Sequence, residues 1–343
     1  MSAHRPHSIP SGVWLFIVAL LVVAGIVRFV RLATTRQDAD LVIYSGRSEE
    51  LIGPLIAEFE RQAGWKVNVR YGQTAELAAT ILEEGRHSPA DLFFAQDAGA
   101  LGALARADRL QTLPTDLLEP VPSRFRSARN QWVGVSGRAR VLVYHPDRVA
   151  PHELPTRWDD LRASHWQNRL GWSPPNGSFQ AFVTAMRVMH GPEQIRDWLT
   201  ALRDIGTRSY SRNTALVWAV ASGEIDAALV NHYYLHALAR ERGAPLPVRN
   251  HYPAEDLLIN VAGVGVLDTA NRAGAAHAFI RFLLTERGQR YFSKQTFEYP
   301  LVDGVEPHPE LPALGSLHPP DLDLDQLDDL GPTLDLLQAL NIL

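Results

Sequence analysis

Residues 40–71 read DLVIYSGRSEELIGPLIAEFERQAGWKVNVRY, and their periodicity changes twice. The run 41–44 is apolar throughout, as in a strand covered on both faces. Over 49–62 the apolar residues Leu51, Leu55, Ile56 and Phe59 recur at helical spacing, and 66–71 alternates as a strand does. Strand, helix and strand in so short a span make a βαβ unit. The spacing predicts that the pattern continues with a helix over 74–84, a strand over 91–94 and a helix over 98–107. This alternation predicts an α/β fold built on an open sheet. Ligands of such sheets sit at the carboxyl ends of the strands.

A second series follows: strand 139–144, helix 158–162, strand 170–172, helices 179–189 and 194–202, strand 227–230 and a helix over 232–242. It predicts a second α/β lobe. The apolar run 257–266 and helices over 270–284 and 286–293 most simply return to the first lobe. Two lobes would then be joined by crossings near 136–138 and 250–252, with 40–137 and 252–316 in lobe 1 and 138–251 in lobe 2. Residues 317–343 form an acidic tail with a last helix near 333–340. Its Asp321, Asp323, Asp325, Asp328 and Asp329 read as a solvated face.

With 343 residues, 46% hydrophobic and 21% charged, the chain has the profile of a folded protein. Thirty-three Lys and Arg against thirty-eight Asp and Glu give a net charge of -5, which lacks the basic excess that displaces counterions from phosphate. Nucleic acid is excluded as an expected partner. With no cysteine, disulfides, thiolate metal sites, a cysteine nucleophile and a lipidated amino-terminal cysteine are all excluded.

Residues 13–27, VWLFIVALLVVAGIV, carry no charge; Arg5 precedes them and Arg28, Arg31 and Arg36 follow. No Ala-x-Ala cleavage site closes this core, so 1–39 reads as a membrane anchor, or an uncleaved signal, plus a linker. The core is short of the roughly 20 residues of a full span. Phe29, Val30 and Leu32 would complete it while Arg28 and Arg31 snorkel. By the positive-inside rule the trailing arginines place the body in the cytoplasm, against the location favoured below.

Phosphate-loop, dinucleotide, H-E-x-x-H and G-x-S-x-G signatures are all missing, which favours a binding protein over an enzyme. His232 and His236 have an i, i+4 spacing open to a metal, but they flank two tyrosines. Asn231-His-Tyr-Tyr234 follows the strand over 227–230 and opens a helix, so Asn231 is placed to cap it. Adjacent helical residues point about 100° apart, so only one of Tyr233 and Tyr234 could face a core, although paired aromatics do pack. Phenolate is a hard ligand suited to Fe(III), which can ionise a phenol whose free pKa is near 10. Trp172-Ser-Pro-Pro-Asn176-Gly177-Ser178-Phe179 turns from a strand into a helix. The amides of Gly177 and Ser178 there make an ordinary capped start or an anion site. Asn213 and Arg138 add candidate donors.

Together with Ile43-Tyr-Ser-Gly-Arg47, Ser88-Pro-Ala-Asp-Leu-Phe-Phe94, Val135-Ser-Gly-Arg-Ala-Arg140 and Phe297-Glu-Tyr-Pro-Leu301, these segments occur in one order and spacing. In this the chain resembles the bacterial periplasmic ferric-ion-binding proteins that feed ABC iron importers. The resemblance runs from Leu41 to the carboxyl terminus. It implies the two-lobe, transferrin-like type II periplasmic-binding-protein fold with a ligand cleft between lobes, here behind an N-terminal membrane segment. It also implies an extracytoplasmic, monomeric, non-enzymatic protein that delivers Fe(III) to an ABC permease; the segment 13–27 would anchor this protein to the cytoplasmic membrane. Tyr233 and Tyr234 would bind the metal. Asn176, Gly177, Ser178, Asn213 and Asn231, with Arg138, would hold a synergistic carbonate or phosphate. Two positions depart from the pattern: Ser48 stands where some members have a histidine ligand, and Gln96 where they have a glutamate. Both are poor donors toward Fe(III). Asp97 lies next to the second of these, and Arg47 is a further candidate for the anion. Rival readings are a carrier of an organic anion or metal chelate and, at class level, a membrane-bound anion sensor or enzyme.

Overall fold

A computed structural model describes residues 40–343. The expected anchor over 13–27 lies outside the described residues, among which no helix is long and apolar enough to cross a membrane. The opening βαβ unit folds as its periodicity predicts. Strand β1 (Leu41–Ser45) is wholly buried, and the helix Glu49–Ala63 turns Ile52, Leu55, Ile56 and Phe59 inward. Gly64, left-handed at φ 70°, ends that helix, and the chain returns in β2 (Val67–Tyr71). Strands β2 and β3 (Leu92–Ala95) flank β1 in parallel.

The sheet order is β2-β1-β3-β9-β4-β7-β5-β6, with β8 paired to β4. Strand β4 (Val133–Tyr144) joins its two halves. Its residues up to Ala139 pair with β9 (Ile259–Val266). From Arg140 onward they pair with β7 (Ala227–Asn231), and Leu142–Tyr144 also meet β8 (Arg249–His251). Strands β5 (Leu170–Trp172) and β6 (Arg208–Ser209) complete the second half. The chain thus changes half within β4 and returns between β8 and β9. Each half has its own aromatic core, Phe59 against Phe279 and Phe282 in one and Trp158 and Trp198 against Phe182 in the other. Burying each such ring stabilises by roughly 1.5–3 kcal/mol.

Asp321 and Asp323 of the acidic tail are exposed, as a solvated face would be, but Asp325, Asp328 and Asp329 are engaged by other segments. The turn Leu324–Asp328 lies on the helix Ala98–Arg106, where two glycines admit it. A Cβ at Gly99 would come within 2.6 Å of the Leu327 carbonyl oxygen, and one at Gly102 within 2.6 Å of that of Asp325. Asp325 accepts hydrogen bonds from the Trp132 indole (2.5 Å), the Ser127 hydroxyl (3.0 Å) and the Ala128 amide (3.1 Å). Asp328 pairs with Arg106. The helix Leu330–Ala339 then crosses to the other half and packs on the helix Gly177–His190. There Thr333 meets Thr184 at 2.8 Å and Asp329 meets Arg187 at 2.6 Å. A charge run read as solvated is thus a strap with specific donors, because the matching indole and guanidinium groups come from remote segments.

Gly102→Ala is expected to destabilise by about 1–3 kcal/mol, since a backbone carbonyl must give way. Gly53→Ala, whose Cβ would meet only the flexible Glu49 side chain at 3.3 Å, should stabilise by up to about 1 kcal/mol. Urea denaturation of the two variants checks the contrast.

Candidate functional site

The halves enclose a cavity of about 480 Å³. Strand β7, buried along its length, delivers the tyrosines to it. The helix that follows begins at Tyr233, with His232 before it making no side-chain cap, so Asn231 ends the strand and does not cap the helix as the sequence led us to expect. Tyr233 and Tyr234 both line the cavity, their ring centroids 4.3 Å apart at an interplanar angle of 32°. Burial raises the Tyr233 pKa well above 10, and the neighbouring phenol of Tyr234 raises it further, while Arg138 opposes. In the empty site this phenol carries its proton.

His232 fixes where the pair begins. It is fully buried; its Nδ1 accepts the Ala139 amide at 3.1 Å, which leaves Nε2 to donate to the Phe297 carbonyl at 2.8 Å. Burial pushes its pKa down to about 4, against the pull of the Phe297 carbonyl. The His232 carbonyl in turn accepts from Asn250 of β8 at 2.8 Å. His236 is held instead by Glu310, so the two histidines do not converge. Among the described residues no group of three or more His, Asp or Glu is arranged to hold a metal.

The helix Gly177–His190 presents its first turn to the same cavity through Asn176, Gly177 and Ser178. Asn176 Oδ1 accepts from the Ser178 amide (3.0 Å) and hydroxyl (2.5 Å), so this start is capped as well as open. Nothing lies within 4 Å of the position a Gly177 Cβ would take. Asn213, buried at the start of the helix Asn213–Ala221, donates to Ser178 Oγ at 3.4 Å, and its Oδ1 has no partner. Asn231 sits across from Arg140 in the β4–β7 ladder.

Three arginines are buried here. Arg47 forms a two-pronged pair with Glu298 at 2.8 and 2.7 Å and donates to Gln96 Oε1 at 3.0 Å, so it faces a carboxylate where an anion contact was expected. Burial would raise the Glu298 pKa, but Arg47 and then Arg138 hold it below the ordinary range. Ser136 and Thr296 also donate to Glu298. Arg138 lines the cavity; one end donates to the Gln96 carbonyl, while Nε and Nη1 make no hydrogen bond and Nε lies 3.9 Å from Glu298 Oε1 as a looser ion pair. Arg140 lies over Phe179 and Phe182 at 5.5 and 5.3 Å, with Nε and Nη1 unpartnered.

Ser48 caps the helix Glu49–Ala63, is exposed, and does not line the cavity. Gln96 and Asp97 do line it. Asp97 accepts the Ala100 amide at 3.4 Å as a helix cap, and burial raises its pKa against the pull of Arg138. Sequence reasoning gave no role to Glu298, Arg140 or the tail residues Leu327, Asp328 and Leu330, which also line the cavity in the last three cases. A lone glutamate inside the apolar Phe297–Leu301 stretch was the available signal for the first.

A sequence family described as bacterial extracellular solute-binding protein matches residues 87–323, more than half of the chain. The chain belongs to this family. This solute-binding protein is 34% identical over 277 residues to the major ferric iron-binding protein of Neisseria meningitidis serogroup A, spanning 78% of this chain and 83% of that one. Iron uptake protein A1 of Synechocystis is 32% identical, with 88% and 86% covered. The crystal structure of iron-bound HitA from Pseudomonas aeruginosa matches at a TM-score of 0.81 and 33% identity, over 88% of this chain and 98% of that one. The mixed α/β fold of the solute-binding protein is therefore that of the periplasmic binding proteins.

Glu298→Gln strands the Arg47 charge and is expected to cost about 3–5 kcal/mol at neutral pH. Because the native carboxylate is held ionised, its contribution is present above the unfolded pKa and is lost as pH falls through the folded one. Stability measured against pH should show the gap between wild type and variant closing below about pH 4.

Proposed function

We propose that the chain is an extracytoplasmic carrier that captures Fe(III) together with a synergistic carbonate or phosphate and delivers it to an ABC importer. The observation that carries this reading is the placement of two phenols side by side in one cavity, facing a helix start that can receive an anion. Phenolates are hard donors matched to a trivalent ion. Tyr233 and Tyr234 would ligate the metal. Asn176, Gly177, Ser178 and Asn213, with Arg138 and the neighbouring Asn231, would hold the anion. Closure of lobe 2 (138–251) on lobe 1 (40–137 and 252–316) would bring the two sets together. The segment 13–27 would tether the monomeric body to the cytoplasmic membrane.

The chemistry asks only for binding and release. Iron must displace the Tyr233 proton, and the raised pKa of that phenol makes the displacement harder. Release of that proton makes the apparent affinity rise by at least about tenfold per pH unit between pH 5 and 7, read by competition with a chelator of known affinity. Tyr233→Phe with Tyr234→Phe should remove the visible tyrosinate-to-iron absorption and iron binding together. Iron retained by the double variant at wild-type affinity would place the ion elsewhere.

A further inference from the structure

The halves are tied together a third time. Two of the crossings run within the sheet, through β4 and between β8 and β9. The strap makes the third, over helices packed on that sheet. On the half of the helix Ala98–Arg106, Asp325 takes its three donors, Asp328 pairs with Arg106, and the Leu327 carbonyl lies where Gly99 leaves room for it. On the half of the helix Gly177–His190, Arg187 donates to the Asp329 carbonyl at 2.7 Å, to its carboxylate at 2.6 Å and to Thr333 Oγ1 at 3.3 Å. The Thr184 hydroxyl donates to the Gln180 carbonyl at 2.9 Å and so accepts from Thr333 at 2.8 Å; both threonines are fully buried.

This crossing has no slack. Asp328 is held by one half and Asp329 by the other, so a single peptide step, about 3.8 Å between Cα atoms, spans them. Leu327, Asp328 and Leu330 line the cavity at that point. A hinge motion about the strand crossings carries the two helices apart, and the tie between them must then give way at one end. The grip on Gly99 and Gly102 is made by backbone lodged in notches, whereas the other grip is made by side chains, with that of Asp329 43% exposed. We propose that the strap is the latch of the cleft: its grip on the helix Gly177–His190, through Arg187 with Asp329 and Thr184 with Thr333, must let go before a bound ligand can leave, and so sets the rate of exchange. The latch acts on whatever the cleft holds, and reading it with iron rests on the ferric function proposed above.

The chain has no cysteine, so Thr184→Cys with Thr333→Cys introduces one pair of thiols, at positions whose Oγ1 atoms are 2.8 Å apart, and a disulfide there fastens the grip reversibly. The full-length double variant, oxidised or else reduced and freed of reductant, is loaded with Fe(III) and bicarbonate and mixed with excess EDTA. The oxidised form should lose its visible iron absorption at least about tenfold more slowly than the reduced form. Asp329→Ala, which removes a charge-assisted hydrogen bond, should release iron about three- to tenfold faster than wild type and show a larger radius of gyration in small-angle scattering without iron. A contact that only stabilised the fold would leave the oxidised and reduced forms alike, and equal rates overturn the latch. Should the cysteine pair fail to fold, an unchanged release rate in Asp329→Ala overturns it instead. If wild type takes up no iron the ferric reading fails, and the scattering comparison, which needs no metal, still decides the latch: Asp329→Ala no more open than wild type refutes it.

Discussion

The arrangement depends on an imidazole that must stay neutral. His232 has one nitrogen accepting an amide from β4 and the other donating to the carbonyl of Phe297, so a second proton would set two donors against each other. The amide belongs to Ala139, the last residue of β4 paired to β9 before the strand changes partner. Through that one side chain the point where the halves meet, the end of β7 and the first turn of the tyrosine helix become a single rigid unit. The two phenols inherit their positions from it. An orphaned polar group at full burial costs about 1–3 kcal/mol, which is why such a junction is made with every donor and acceptor matched.

Around this junction positive charge is in excess. Arg47 is neutralised by Glu298, but Arg138 and Arg140 retain nitrogens with no acceptor, and burial lowers the Arg140 pKa to about 9. With the Tyr233 phenol protonated and guanidinium nitrogens left without hydrogen-bond partners, the cavity favours an anion. In the ferric reading proposed above, a trivalent ion adds further positive charge here, so electrostatics would favour a negative partner beside it.

Much of this was legible in the chain. Periodicity gave the first three strands and their helices nearly to the residue, because each has one clear face, and adjacency after an apolar strand singled out Tyr233 and Tyr234. The helix Asn213–Ala221 escaped notice because it is apolar nearly all round and carries no 3.6-residue signal; it buries Leu216, Val217, Ala219 and Val220. The start of β4 was hidden by Ser136 and Gly137, which read as a break and are in fact paired across to β9. Glu298 and Asp325 could not be read because their meaning lies in partners from distant segments: Arg47 for one, Trp132 for the other. Local pattern reveals which face of an element is covered, not which remote side chain covers it.

The strap has a consequence for how the molecule is made. Residues 324–339 follow the strands of both halves in the chain and lie on helices of each. Until they emerge, the glycine notches of the helix Ala98–Arg106 and the hydroxyl of Thr184 have nothing to receive. Each half can collapse on its own aromatic cluster as translation proceeds, but the cavity acquires this wall only after residues 324–339 have emerged. A nascent chain would therefore build the two cores before the wall that spans them.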